Sequence, residues 1–144
     1  MNFHQPTIVL IGLDQKMISI ITAYLANKYH FLAINHDFSI KQIKHYTKIQ
    51  LFIIDVDQVF VKVDDVVEKI NADPELKDIP KIGLSLKAHH SIMNEKRRKS
   101  FEDFILMPCG NEDLLTRIDV WIKTYQTLLM PNKVEEKSYS LDTI

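Results

Sequence analysis

A chain of 144 residues with a net charge of -1, 46% hydrophobic and 26% charged, fits one domain of ordinary size and has no global field to favour nucleic acid or an anionic membrane. Its single cysteine, Cys109, excludes an internal disulfide and a cysteine-only metal site, and fits a reducing, cytoplasmic setting. Met1 to Pro6 lacks a basic start followed by an apolar signal-peptide core, and no later apolar run nears the length of a membrane span, so a soluble protein is expected.

Short apolar runs then alternate with segments of helical period. Thr7 to Leu13 predicts a strand buried on both faces, and beyond it Met17, Ile20, Ile21, Tyr24 and Leu25 fall on one side of a helix that Asp14 is placed to cap. Phe31 to Asn35 predicts the second strand, with a weak helix at Ile40 and Ile43 behind it. The run Leu51-Phe52-Ile53-Ile54 ends on Asp55, the pattern of a buried parallel strand that delivers one carboxylate to a sheet edge. Asp64 to Asn71, carrying Val66, Val67 and Ile70, predicts a third helix closed by Asp73-Pro74. Pro80 opens a fourth strand over Lys81 to Leu84. Ser91 to Ser100 reads as a polar helix, Asp103 to Leu106 as a short strand, and Asn111 as the cap of a long helix carrying Leu114, Ile118, Ile122, Tyr125 and Leu129.

From Met130 onward, Pro131, Lys133, Glu135, Glu136 and Lys137 break the apolar pattern, which divides the chain into a domain over 1–129 and a polar, flexible tail over 130–144. Five βα units argue for a doubly wound α/β fold, a parallel sheet with helices on both faces and right-handed crossovers. Ligands of such folds sit beyond the carboxyl ends of the strands, where Gly12, Leu13, Asp55 and Ser85 are expected to meet.

Three stretches carry a resemblance: Leu51 to Asp55, Asn71 to Pro80, and Phe101 to Pro108 leading into Glu112-Asp113-Leu114-Leu115. In this order and at this spacing, Thr7 to about Thr124 resembles the receiver domain of bacterial two-component response regulators. The resemblance implies a flavodoxin-like (βα)5 fold with a five-stranded sheet of order 2-1-3-4-5. It implies that Asp55 stands where the family has its phosphoacceptor, Ser85 where it has a switch hydroxyl, and Phe104 where it has a switch aromatic. Family members hold Mg²⁺ with the acceptor and two acidic residues after the first strand, but Gly12 and Leu13 take those two places and neither has a side-chain oxygen. Met107 replaces the lysine that neutralises the phosphoryl group, Pro108 implies a cis Met107-Pro108 bond, and Leu86 is bulky where most receivers are small. Phosphoryl transfer depends on positioning and charge neutralisation, so these losses remove much of its catalysis.

Other features have plainer explanations. Asp14 is a helix cap rather than a metal ligand displaced by one position, Asp57 a solvated loop acid, and Asp55 an unmodified carboxylate bonded to Ser85 or nearby backbone. The adjacent His89 and His90 lack two further ligands at recognisable spacing, and His4, His30, His36 and His45 form no triad with a serine or Cys109. Three glycines supply no phosphate-cradling loop. The run Lys96-Arg97-Arg98-Lys99 is a solvated helix face or a docking charge, and its offset by Glu95, Glu102 and Asp103 argues against nucleic acid.

The expectation is therefore a stand-alone pseudo-receiver, not an enzyme and without a cofactor, that acts as a protein–protein interaction module in two-component or phosphorelay signalling. Its contact face would use Lys96, Arg97 and Arg98 with Trp121 or Tyr125 as an anchor, against a histidine kinase, another regulator or a second copy of the chain. Neither nucleic acid nor membrane is expected as a partner. The alternative is a phosphorylatable regulator that binds Mg²⁺ and takes a phosphoryl group on Asp55 from a histidine kinase or phosphotransfer protein. A small flavodoxin-like enzyme or nucleotide binder is a third reading, opposed by the missing glycine loop and acid/base pair.

Overall fold

Strands β1 (Thr7–Ile11) and β3 (Ile49–Asp55) are unbroken apolar runs, buried at every residue of β1 and at all but Asp55 in β3. Such runs suit strands covered on both faces. With β2 (His30–Ile34), β4 (Lys81–Ser85) and β5 (Asp103–Leu106) they form one parallel sheet of order β2-β1-β3-β4-β5, the order the resemblance implies. This computed structural model describes residues 6–25, 27–46, 48–57, 60–85, 99–106 and 110–129.

Alternate residues along each strand face opposite ways and so feed two separate cores. On one face Val9, Ile11, Phe52 and Ile54 pack with Phe38, with Ile43 of helix α2 (Ile40–Ile43), and with Val63, Val66, Val67 and Ile70 of α3 (Phe60–Asn71). On the other, Ile8, Leu10, Leu51, Ile53, Ile82 and Leu84 pack with Met17, Ile21 and Leu25 of α1 (Gln15–Leu25) and with Leu114, Ile118 and Ile122 of α4 (Asn111–Leu129). Register places Ile11 beside both Ile34 and Ile54, Asp55 beside Leu84, and Ser85 beside Leu106. The residues that follow these positions therefore share one edge.

Several boundaries differ from the sequence expectation. Strand β1 stops at Ile11 rather than Leu13 because Gly12 turns the chain out of the sheet with φ of 75°, a backbone state glycine adopts without a Cβ clash. Strand β2 starts one residue earlier than expected, and α3 gains a first turn ahead of Asp64 that brings in the buried Val63. Tyr24 is 60% exposed, not on the buried side: α1 buries the single i, i+4, i+8 row of Met17, Ile21 and Leu25, too narrow a stripe to include it. Asp14 does cap α1, its Oδ1 accepting the Met17 N–H at 2.8 Å. Asn111, by contrast, is already helical, and the carbonyl of Gly110 accepts the first α4 bond, from Leu114 N–H at 3.1 Å. The expected helix over 91–100, apart from Lys99 and Ser100, and the tail over 130–144 lie outside the described residues. Among the described residues no helix is long and apolar enough to cross a membrane.

Candidate functional site

Asp55 closes β3 half-buried at the carboxyl edge. Its Oδ1 accepts the backbone N–H of Asp57 at 2.8 Å, a side-chain turn that bends the chain off the sheet. The bend carries the Asp57 carboxylate over the end of β4, where Oδ1 accepts the Ser85 hydroxyl at 2.5 Å, a length typical of a charge-assisted bond. Asp57 is thus part of the site and not the solvated loop acid expected. Asp55, Asp57 and the buried Ser85 form one linked chain of polar groups.

The other side of Asp55 is occupied by a residue the sequence reading passed over. A Cβ built on Gly12 would lie 1.8 Å from Cε1 of His36 and 2.5 Å from each ring nitrogen, so the imidazole fills the space that a side chain at position 12 would need. His36 Nε2 lies 3.2 Å from the backbone carbonyl oxygen of Asp55, to which its N–H donates in the Nε2-protonated tautomer. Lys69 of α3 holds this loop: its ammonium donates to the carbonyls of Phe38 at 2.5 Å and His36 at 3.5 Å, and lies 4.3 Å above the Phe38 ring. Among the described residues, Leu13, Asp14, Met17, Asp55 and Leu84 line a small hollow of about 10 Å³. Gly12, Leu13, Asp55 and Ser85 do converge on one edge, as the sequence predicts. The signal for His36 was its place two residues past the end of β2, the strand that flanks β1.

No family model matches the chain. Hybrid signal transduction histidine kinase D of Dictyostelium discoideum is 25% identical over 119 residues, and the match covers 81% of this chain but only 8% of that protein. A response regulator from Thermotoga maritima superposes with a TM-score of 0.63 at 20% identity, covering 83% of this chain and 98% of the other. A response regulator receiver modulated diguanylate cyclase from Pelobacter carbinolicus gives a TM-score of 0.65 at 21% identity, with 85% and 97% covered. The chain has the receiver fold.

The resemblance drawn from the sequence implies Mg²⁺, which demands oxygen ligands in near-octahedral geometry. The residues present do not fit it. Gly12 offers no side chain and its open side holds the His36 ring, Leu13 is apolar, and Asp55 Oδ1 is engaged with the Asp57 amide. Among the described residues no three His, Cys, Asp or Glu side chains are arranged to hold a metal ion.

Phe104, which the resemblance sets at the place of a switch aromatic, lies against β4: a Cβ on Gly83 would come within 2.5 Å of its ring, and the Phe101 ring centre is 4.9 Å away. Along the same side, Arg117 donates to the Phe104 carbonyl at 3.0 Å and Trp121 Nε1–H donates to Asp103 Oδ2 at 3.1 Å. Leu106 and Val120 are half exposed. Tyr125 cannot serve as the expected surface anchor, because α4 turns it inward to 7% exposure in the core. Together with Tyr46, Ile49, Leu76 and Ile79 it lines a cavity of about 630 Å³ at the opposite, amino edge of the sheet, remote from Asp55. Lys96, Arg97, Arg98, Leu86, His89, His90, Met107, Pro108 and Cys109 lie outside the described residues.

Proposed function

We propose that this chain is a pseudo-receiver, a non-catalytic protein–protein interaction module of cytoplasmic two-component or phosphorelay signalling that works without Mg²⁺-dependent phosphorylation of Asp55. The observation that carries this reading is the His36 ring in the space in front of Gly12, where a receiver places an ion-binding carboxylate. Without a bound ion, and with Met107 where the family has a lysine, the charge that builds on a phosphoryl group during transfer lacks the neutralisation that a receiver supplies. Recognition then falls to the outer face formed by β5 and α4, where Leu106 and Val120 are exposed and Trp121 is fixed by Asp103, with Lys96, Arg97 and Arg98 supplying charge for a histidine kinase or another regulator.

Treatment with acetyl phosphate, or with beryllofluoride and Mg²⁺, should leave intact mass and amide shifts unchanged. A stoichiometric adduct that disappears in Asp55→Asn would overturn the proposal. In pull-downs from cell extract, Asp55→Asn should bind as the natural chain does, while charge reversal at Lys96, Arg97 and Arg98 should weaken binding. The opposite pattern would return the function to the aspartate.

A further inference from the structure

We propose that His36 is an internal plug: its imidazole takes the space over Gly12, beside the Asp55 carbonyl, that an ion-binding side chain at position 12 would need, and position 12 is glycine because the ring is there. Two separate constraints act on that position. One is the backbone at φ of 75°, unfavourable for any residue with a Cβ whatever surrounds it. The second is the ring itself, since carbon atoms in good contact stand about 3.5–4.0 Å apart and the Cβ of position 12 would lie at 1.8 Å. An aspartate at position 12 therefore restores only a weakened ion site while the ring is present. The inference deepens the pseudo-receiver reading and takes its biological meaning from it: the seat lost its carboxylates and was also filled.

The ring is placed by more than its own loop. Phe38 is buried in the core beneath α3, and Lys69 ties the carbonyls of residues 36 and 38 to that helix, so α3 fixes how far the ring reaches across the edge of β1. On its outer side an open depression of about 600 Å³ is lined by His36, Asp37, Asp65, Glu68 and Lys69. That space lets the imidazole swing outward if something larger than hydrogen is forced onto position 12. The displacement costs the hydrogen bond to the Asp55 carbonyl and leaves the Lys69 bonds to the loop backbone in place.

The test uses the full chain and Mn²⁺ alone as the probe, read by paramagnetic broadening of the amide signals around position 55. Gly12→Asp with Leu13→Asp should bind Mn²⁺ weakly while His36 remains, and addition of His36→Ala should tighten binding by roughly tenfold or more. Equal affinity with and without the ring, or no binding in either protein, overturns the plug. Should the two aspartates prevent folding, a urea cycle decides the same question. Gly12→Ala should lower the unfolding midpoint strongly in the natural chain and much less in His36→Ala, because the backbone strain is common to both and the clash is not. Equal losses overturn the proposal. Phosphorylation of the unaltered chain would sink the pseudo-receiver reading and leave this cycle standing, whereas an additive cycle would remove the plug and leave that reading in place.

Discussion

Tyr29 and Lys81 illustrate what single buried polar side chains contribute. The Tyr29 hydroxyl donates to Asp119 Oδ1 at 3.1 Å and so ties the loop after α1 to α4. Burial first, and Asp119 second, push its pKa up from 10.0 to about 12. The folded protein therefore keeps this proton at a pH where the unfolded chain has released it, so the stabilisation is complete below pH 10 and is lost as pH rises through about 12. The urea midpoint of the natural chain should fall across that window, and Tyr29→Phe should fall less. Parallel slopes would mean that the tyrosine bond contributes nothing in solution. Lys81 acts in the opposite sense. It is 2% exposed with its ammonium donating to the carbonyls of Lys77 and Ile79, and burial holds its pKa below the ordinary 10.5 against the pull of Glu102 and Asp78. Its contribution therefore improves as pH climbs toward 10.5, and comparison between Tyr29→Phe and the natural chain cancels it. Nothing in the sequence marks Lys81 as buried, because lysine is almost never fully so.

Among the elements, the β4–β5 pair is the most sensitive to a small change. Gly83 faces Phe104 so closely that one added methyl would stand 2.5 Å from the ring and 3.1 Å from Val56 Cγ1. Gly83→Ala should push the ring off β4 and cost about 1–3 kcal/mol, the usual range for overpacking. A shift of the Phe101 and Phe104 ring resonances together with a lower urea midpoint would confirm it, and an unchanged spectrum would mean that the ring already points elsewhere. Much at this scale was legible. The uninterrupted apolar run of β3, the short β5 and the Asp14 cap follow from local residues alone, because burial and capping leave marks at adjacent positions. The site was legible only in outline. Gly12 and Asp55 announced the edge, yet the contact between Gly12 and His36 joins different strands and depends on α3 holding the intervening loop. Likewise, Asp57 reaches Ser85 because of the direction in which a side-chain turn bends the backbone, and no residue pattern specifies that direction.

Viewed whole, the molecule is two apolar layers separated by one sheet, with α2 and α3 covering one face and α1 and α4 the other. The polar chain from Ser85 to Asp55 and the His36 ring are both held at the carboxyl edge by strands whose residues are otherwise buried, so changes there perturb the rim more than either layer. The order β2-β1-β3-β4-β5 also has a consequence in time. Strand β3 is central, and its partners β1 and β4 pair it with residues far along the chain, such as Val9 and Ile82 with Phe52 and Ile53. Both layers take residues from β3, so the closure of those long loops is expected to set the pace of folding. Ile53→Val should therefore slow refolding, while Ile105→Val, on the edge strand β5, should mainly speed unfolding. Each change should cost about 0.5–1.5 kcal/mol, mostly enough to give an interpretable chevron. A refolding rate more sensitive to Ile105 than to Ile53 would place the first closure at the β5 edge. Should refolding prove more sensitive to Ile53 than to Ile105, the strand that presents the carboxylate would also be the one that commits the chain to its native state.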